Sequence, residues 1–508
     1  MKKYQWMKTD TAAIMFAALH TKTKSRVVRL AVVLKDEEVD VAVLRRAVKD
    51  VLPAFPGFAY RVKQGFFWSY LEHTDVPPAV CEEEQCPAVS QWIGRDGGPD
   101  YRVLYYKRRI SLEASHVLGD GTGLLAFLKA IVARYLVLRG TDILSCDEII
   151  QPEDVPSAAL FENAYTRHYT NEKLKSVERE KAYQLEKQFE KDYLNVVFGL
   201  IPVQELKQQA KPRNLTITEY LAAAMILAII RSTKQPIGGV ISIAIPINMR
   251  KYFPSDTLRN FSTHVPVEFS PQGRTDWTFS ELCEVVNGQL QQKITHANIQ
   301  AFINSTYSLA VNPLIRIIPG FIKKPGLTLI QKKAHQSTVT VTISNLGNIS
   351  LPAPMLEQIE RIDLVGGDPR PYGLTTFCGV IGVNDYLNFC FSITNRDTSL
   401  CRAFFGVLAE EGIPVRVEST SSDSPGESCC CGEGGDVSGK YCEACRVELG
   451  EDYAICPLCG QAVKECEPAI TVFKTAEYPK HYRAVEQAVK KLPCGPLSFE
   501  KLKAYFSL

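Results

Sequence analysis

His116 and Asp120, in ISLEASHVLGDGTGL, are the first residues whose types and spacing suggest chemistry. Period-two alternation puts Ile110, Leu112, Ala114 and His116 on one apolar face of a strand, so the imidazole points toward an interior or a cavity. A histidine has a reference pKa of about 6.5, and an uncharged ring in such a place is a competent general base. Gly119, Gly121 and Gly123 allow a tight turn and a close approach of backbone or ligand. A hydrogen-bonded core histidine is the plainer reading of this residue taken alone. A histidine and an aspartate fall short of the three protein ligands usual for catalytic zinc. No G-x-S-x-G elbow supports a serine hydrolase, no P-loop is present, and GDGTG does not fit the dinucleotide fingerprint.

The cysteines offer a second chemistry. Seven of the sixteen are scattered through the first 401 residues, and nine crowd into 429–494. YCEACRVELGEDYAICPLCG sets Cys442 and Cys445 against Cys456 and Cys459, two C-x2-C knuckles that suit a tetrahedral, structural zinc in a small ribbon. A closed four-cysteine set leaves no open catalytic position. Cys429, Cys430 and Cys431 are an alternative ligand source, a redox group or a cysteine-rich linker. Glu443, Glu448, Glu451 and Asp452 disfavour phosphate contact, so the ribbon reads as a protein-docking module or a cap rather than a nucleic-acid binder.

The rest of the chain must position these groups. At 508 residues, two large lobes and an appendage are expected. Hydrophobic content of 45% and charged content of 22% are those of a globular protein, and a net charge of +2 argues against strong steering toward nucleic acid or anionic membrane. The longest apolar run, Tyr220 to Ile230, is too short to span a bilayer. TAAIMFAALH follows an aspartate, lacks a convincing cleavage site and is not read as a signal peptide. Scattered thiols suit a reducing, cytoplasmic setting.

Residues 27–34, 103–115 and 64–72 read as strands, the last as one arm of a hairpin. Residues 39–52 and Leu124 to Leu138 read as helices, the second stopping at Gly140. The charged stretch 151–194 reads as a solvated helix or crossover. A second α/β lobe is expected from Asn195, with Thr218 capping the helix EYLAAAMILAIIRS, followed by strands in GGVISIAIPI, THVPVEF, STVTVTIS and DYLNFCFSIT. The expected organisation is a first lobe over 1–185, a second over 186–418, a flexible linker over 419–440, the ribbon over 441–462, and a basic, partly helical tail over 463–508.

The spacing His116–Asp120–Gly121, after a strand and before a long helix, resembles the H-x-x-x-D-G motif of the chloramphenicol acetyltransferase-like superfamily, which includes condensation domains, BAHD acyltransferases and alcohol acetyltransferases. PINMRKYFPSDTLRNF at 246–261 is similar to the segment in which these families place an arginine and, later, an asparagine; SNLGNISLP and PGFAYRVKQGFFWSYLE resemble the bacterial alcohol acetyltransferase branch. The resemblance covers roughly residues 1–416. It implies an α/β fold of two chloramphenicol acetyltransferase-like sandwich lobes with an interlobe tunnel, plus the small C-terminal zinc ribbon.

It also implies an acyltransferase that moves an acetyl or other short acyl group from acyl-CoA to a hydroxyl acceptor, without an acyl-enzyme. His116 would be the general base. Asp120 would turn away and pair with Arg250 to fix the loop. Ser344 or Asn345 would be oxyanion donors, and Asn260 a substrate-side group. A carrier-protein-dependent condensation-type enzyme and a non-catalytic scaffold that binds a protein partner through the ribbon are the competing readings. Ser115 stands where many condensation domains carry a first histidine, which counts against the former. Some relatives follow such a ribbon with membrane-spanning helices; here membrane contact is expected to be peripheral at most.

Overall fold

A computed structural model describes residues 5–19, 27–83, 97–143, 148–172, 180–185, 194–320 and 338–419, with 234, 368 and 370–373 excepted, together with positions 322 and 326 and parts of 440–465. The centre of the charged stretch, Cys429 to Cys431, most of the linker and the tail from 466 lie outside the described residues.

The first half of the chain contributes β1 (Trp6–Lys8), α1 (Ala13–Leu19), β2 (Val27–Leu34), α2 (Val41–Val51), β3 (Tyr60–Gln64), β4 (Ser69–His73), β5 (Ala79–Glu82), β6 (Tyr101–Tyr106), β7 (Arg109–Ser115), α3 (Gly121–Leu138) and α4 (Ala164–His168). The stretch expected as one strand over 103–115 is a hairpin, β6 and β7, because Lys107 adopts a left-handed φ of 48°. The stretch 64–72 likewise straddles a turn. At Gly65 a Cβ would lie 2.6 Å from the Trp68 carbonyl oxygen, so the tip between β3 and β4 needs glycine there.

The second half contributes β8 (Asn195–Pro202), α5 (Val203–Ala210), α6 (Ile217–Ser232), β9 (Ile241–Asn248), β10 (Ser262–Phe269), α7 (Phe279–Lys293), α8 (His296–Val311), α9 (Pro313–Arg316), β11 (Val341–Asn348), α10 (Ala353–Gln358), β12 (Ile359–Val365), β13 (Thr376–Val383), β14 (Tyr386–Ile393), α11 (Ser399–Glu410) and β15 (Arg416–Ser419). The cap of α6 is Thr216, not Thr218. Thr216 accepts from the Glu219 amide while Glu219 accepts from the Thr216 amide, and this reciprocal pair fixes the start two residues earlier than expected. β11 begins later than the expected strand and runs on through Ser344 and Asn345, with a bulge between Asn345 and Asn348.

Three sheets result. The smallest has the order β1-β4-β3. A five-stranded sheet, β12-β2-β7-β6-β5, is completed by a strand from the second half, since β12 pairs antiparallel with β2. The third begins β10-β9-β11-β13-β14-β8-β15 and continues into the ribbon. α2 and α3 pack together, and α3 lies against β2 and β7. By length and composition α3 could cross a bilayer, yet Phe127, Leu128, Ile131 and Val132 are fully buried in this core. α6 is buried from Glu219 to Ile230 and contacts α7 and α11 over the third sheet.

The alternation in β7 holds on its apolar face. The opposite face is not solvated: Arg109, Ser111, Glu113 and Ser115 are 0% exposed. Glu113 pairs with Arg29 at 3.2 Å and Arg102 at 2.6 Å, and Glu83 with Arg29 at 2.5 Å and Arg109 at 2.7 Å. Burial pushes the Glu83 carboxyl up, but Arg109 and Arg29 outweigh it and hold the group below its ordinary range. Similar polar links join the two large sheets, with Arg361 of β12 3.0 Å from Glu418 of β15 and Asn388 of β14 donating to Asp363.

Candidate active site

β7 ends at Ser115, and His116 opens the turn into α3. The ring is half-buried, with Phe16 of α1 over it at a centroid distance of 4.2 Å. Its Nδ1 lies 2.8 Å from Asn260 Oδ1. Asn260 is 2% exposed and donates through Nδ2 to Asp10 Oδ2 at 3.1 Å. Asp10 is fully buried; its other oxygen accepts from the Ala13 amide at 2.7 Å and so caps α1. Arg259 Nε stands 3.5 Å from Asp10 Oδ2; burial pushes that guanidinium down and Asp10 opposes the shift.

A carboxylate only accepts. Asn260 must therefore turn its amide nitrogen to Asp10 and its oxygen to His116. The network assigns a proton to Nδ1, so that in the neutral ring the lone pair falls on Nε2, the tautomer a general base requires.

Asp120 does not touch the imidazole. It caps α3 by accepting from the Gly123 amide at 3.1 Å, takes Arg250 Nη1 at 2.8 Å, and accepts from the Phe261 amide at 2.8 Å. Arg250 also donates to the carbonyls of Thr257 and Arg259, at 2.8 and 2.6 Å from Nη2. One carboxylate and one guanidinium thus clamp segment 257–261 against the start of α3, and Asn260 rides on that segment. The glycines serve contact rather than a left-handed turn. A Cβ at Gly123 would lie 1.9 Å from the Leu258 carbonyl oxygen, and one at Gly119 2.6 Å from it. At Gly121 the nearest atom would be the Leu346 side chain at 3.0 Å.

Ser344 and Asn345 sit on β11, both half-buried. Asn345 donates to Thr218 Oγ1 at 2.9 Å and accepts from the Gly347 amide at 2.7 Å, so its carboxamide shapes the bulge. Asn260, expected as a substrate-side group, holds the histidine. Asp10 and Phe16 escaped the sequence reading. The only signal was an aspartate three residues before the first turn of a short apolar helix.

Cys442, Cys445, Cys456 and Cys459 converge, with all four sulfurs within 4.8 Å of one another; Cys442 and Cys459 are 3.5 Å apart, Cys445 and Cys456 3.9 Å. Zinc–sulfur bonds of about 2.3 Å in a tetrahedron place sulfurs about 3.8 Å apart, so the set fits such an ion. The ribbon strands β16 (Lys440–Cys442), β17 (Val447–Leu449) and β18 (Lys464–Glu465) extend the third sheet, β17 pairing with β15. Leu458 is buried in the second-half core, and its carbonyl accepts from Thr398 beside α11.

No curated protein matches the chain by sequence. Among solved structures, TRI101 of F. sporotrichioides, determined with coenzyme A and T-2, is similar at a TM-score of 0.52 and 10% identity, over 78% of this chain and 96% of that one. Polyketide synthase associated protein 5 of Mycobacterium tuberculosis gives 0.54 and 14%, over 80% and 98%. A nonribosomal peptide synthetase, FmoA3, gives 0.50 and 17%, over 81% of this chain and 42% of that one. These likenesses establish the fold as that of the chloramphenicol acetyltransferase-like enzymes and condensation domains. Residues 152–357, about two fifths of the chain, match the family described as alcohol acetyltransferase.

Proposed function

We propose that the protein is an acyltransferase that moves an acetyl or other short acyl group from an acyl-CoA thioester to a hydroxyl acceptor. The observation that carries this is the fixed tautomer of His116, set by Asn260 and Asp10. Nε2 takes the hydroxyl proton as the acceptor oxygen bonds to the thioester carbonyl carbon. The tetrahedral oxyanion then collapses, the C–S bond breaks, and the leaving thiolate takes the proton back from the imidazolium. Ester and free coenzyme A result, with no acyl-enzyme, so the protein's main task is to hold two substrates in line.

Ser344, two residues before Leu346 on β11, the strand that meets Gly121, is the oxyanion donor in this reading. Asp120 and Arg250 are positioning residues. Cys442, Cys445, Cys456 and Cys459 would hold one structural zinc, which fastens the ribbon and takes no part in the transfer. The free thiols at Cys283, Cys378, Cys390 and Cys401 suit a cytoplasmic location.

Purified protein should release free thiol from acetyl-CoA only when an alcohol is supplied, and His116→Ala should abolish it. Full turnover by that variant would end the base assignment. Turnover only with an acylated carrier protein would move the donor to the condensation-type class.

A further inference from the structure

Val155, Val76 and Tyr386 apart, the large apolar side chains left exposed among the described residues gather in three segments. Trp6 on β1 is 58% exposed; Phe66 and Phe67, at the tip between β3 and β4, are 66% and 44%; Leu314, Ile317 and Ile322, in and after α9, are 73%, 68% and 58%. These segments adjoin one another. The Gly320 amide donates to the Phe66 carbonyl at 2.6 Å, and the Phe66 and Phe67 rings lie 4.8 Å apart. Between them is a cavity of about 510 Å³ lined by Trp6, Lys8, Ile14, Trp68, Tyr70 and Arg316. Ile14 lines the cavity from α1, and Phe16 on the same helix covers His116.

The charge around this surface has one sign. Lys8 and Arg316 lie at the cavity. The strands β1, β3 and β4 carry a single acid, Glu72, which is taken by Arg61 at 2.7 Å and Lys63 at 3.6 Å. From Val285 to Leu356 the sequence has no Asp or Glu.

We infer that this surface docks on an anionic lipid membrane, with the aromatic hairpin tip and the aliphatic end of α9 in the headgroup layer and the cavity mouth against the bilayer. Exposed Trp and Phe beside Leu and Ile, ringed by cations and free of unpaired carboxylate, match the chemistry of an interfacial anchor. Cations beside such an anchor add attraction to acidic headgroups. A second copy is the poorer occupant, because a two-fold contact would set Arg316 and Lys8 against the same charges on the partner.

The test is co-sedimentation of the full chain with vesicles of phosphatidylcholine alone and of phosphatidylcholine with phosphatidylserine. Partition should be about tenfold higher on the phosphatidylserine vesicles and should fall as salt rises. Phe66→Ser, Phe67→Ser and Ile317→Ser combined should lose at least tenfold of that binding, with thermal unfolding unchanged. Arg316→Glu, which leaves the apolar side chains in place, should remove the preference for phosphatidylserine, and it decides the matter should the triple variant fail to fold. Equal binding to both vesicles, no binding to either, or indifference to both sets of substitutions overturns the inference. So does a lipid-free dimer that the triple substitution dissolves, which would make a second copy the occupant.

Discussion

Asp10 and Asn260, 250 residues apart in sequence, meet at 3.1 Å, and that contact decides which nitrogen of His116 carries a proton. The link runs from the N-cap of α1 through one carboxamide to the imidazole. Nothing in it depends on substrate, so the ring's orientation is built in before any ligand arrives.

Asn260→Asp tests this link by charge. A carboxylate beside Nδ1 favours the imidazolium, so the pKa of His116 should rise by about one unit. A base must be unprotonated to act, so the acidic limb of kcat/KM should move to higher pH by the same amount. Asp10→Ala should lower kcat by about tenfold or more, since Asn260 is then free to rotate, while the acyl-CoA KM stays near its original value. Loss of KM alone would point to a binding role for Asn260.

Asp120→Ala should cost stability before chemistry. It removes the cap of α3, the partner of Arg250 and the acceptor of the Phe261 amide at once. Breaking a buried ion pair by deleting one member costs about 3–5 kcal/mol, read by urea unfolding. Asp120→Asn, which keeps the shape and some acceptors, should lose less. A variant that unfolds normally but is inactive would mean that Asp120 acts on substrate directly.

Gly123→Ala isolates the close approach of α3 and segment 257–261. Its Cβ would sit 1.9 Å from the Leu258 carbonyl oxygen, which is backbone and cannot swing aside. Either α3 or the segment must shift, at a cost of about 1–3 kcal/mol, and Asn260 shifts with it. Activity should therefore fall further than the stability change explains. Gly121→Ala meets only the flexible end of Leu346 and should be milder.

These contacts show what could be read in advance. The Asp120–Arg250 pair and the four cysteines rest on local spacing or a short motif, and the structure brings each together; His116, expected on the strand face, opens the turn one residue past β7. Asp10 could not be read, because its partner lies 250 residues away and its own neighbourhood looks like an ordinary helix start. The second face of β7 was invisible for a similar reason. Charged residues in alternation signal solvent unless their counter-charges arrive from elsewhere, here Arg29 on β2 and Glu83 just after β5. The exchange of β12 into the first sheet is a long-range pairing that no period reports. Thr216 rather than Thr218 as the cap of α6 was within reach, since Glu219 three residues on completes the reciprocal pair.

Asp100 gives the fold a pH dependence near neutrality. Its carboxyl accepts from the Val62 amide at 2.5 Å, and its carbonyl accepts from the Ser115 amide next to His116. Burial pushes this carboxyl up to about 7 from an ordinary 3.8, against the smaller opposing pull of the Val62 amide, Arg61 and Lys63. The native state then keeps a proton that the unfolded chain has already released, so stability falls as pH rises from about 4 to 7 and stays lower above that window. Asp100→Asn is neutral throughout and should remove this slope. In urea unfolding at pH 8 it should be more stable than the parent by roughly 4 kcal/mol, and at pH 4 close to equal. A constant difference across the range would show that Asp100 is ionised in the native protein, and that its effect is packing rather than charge.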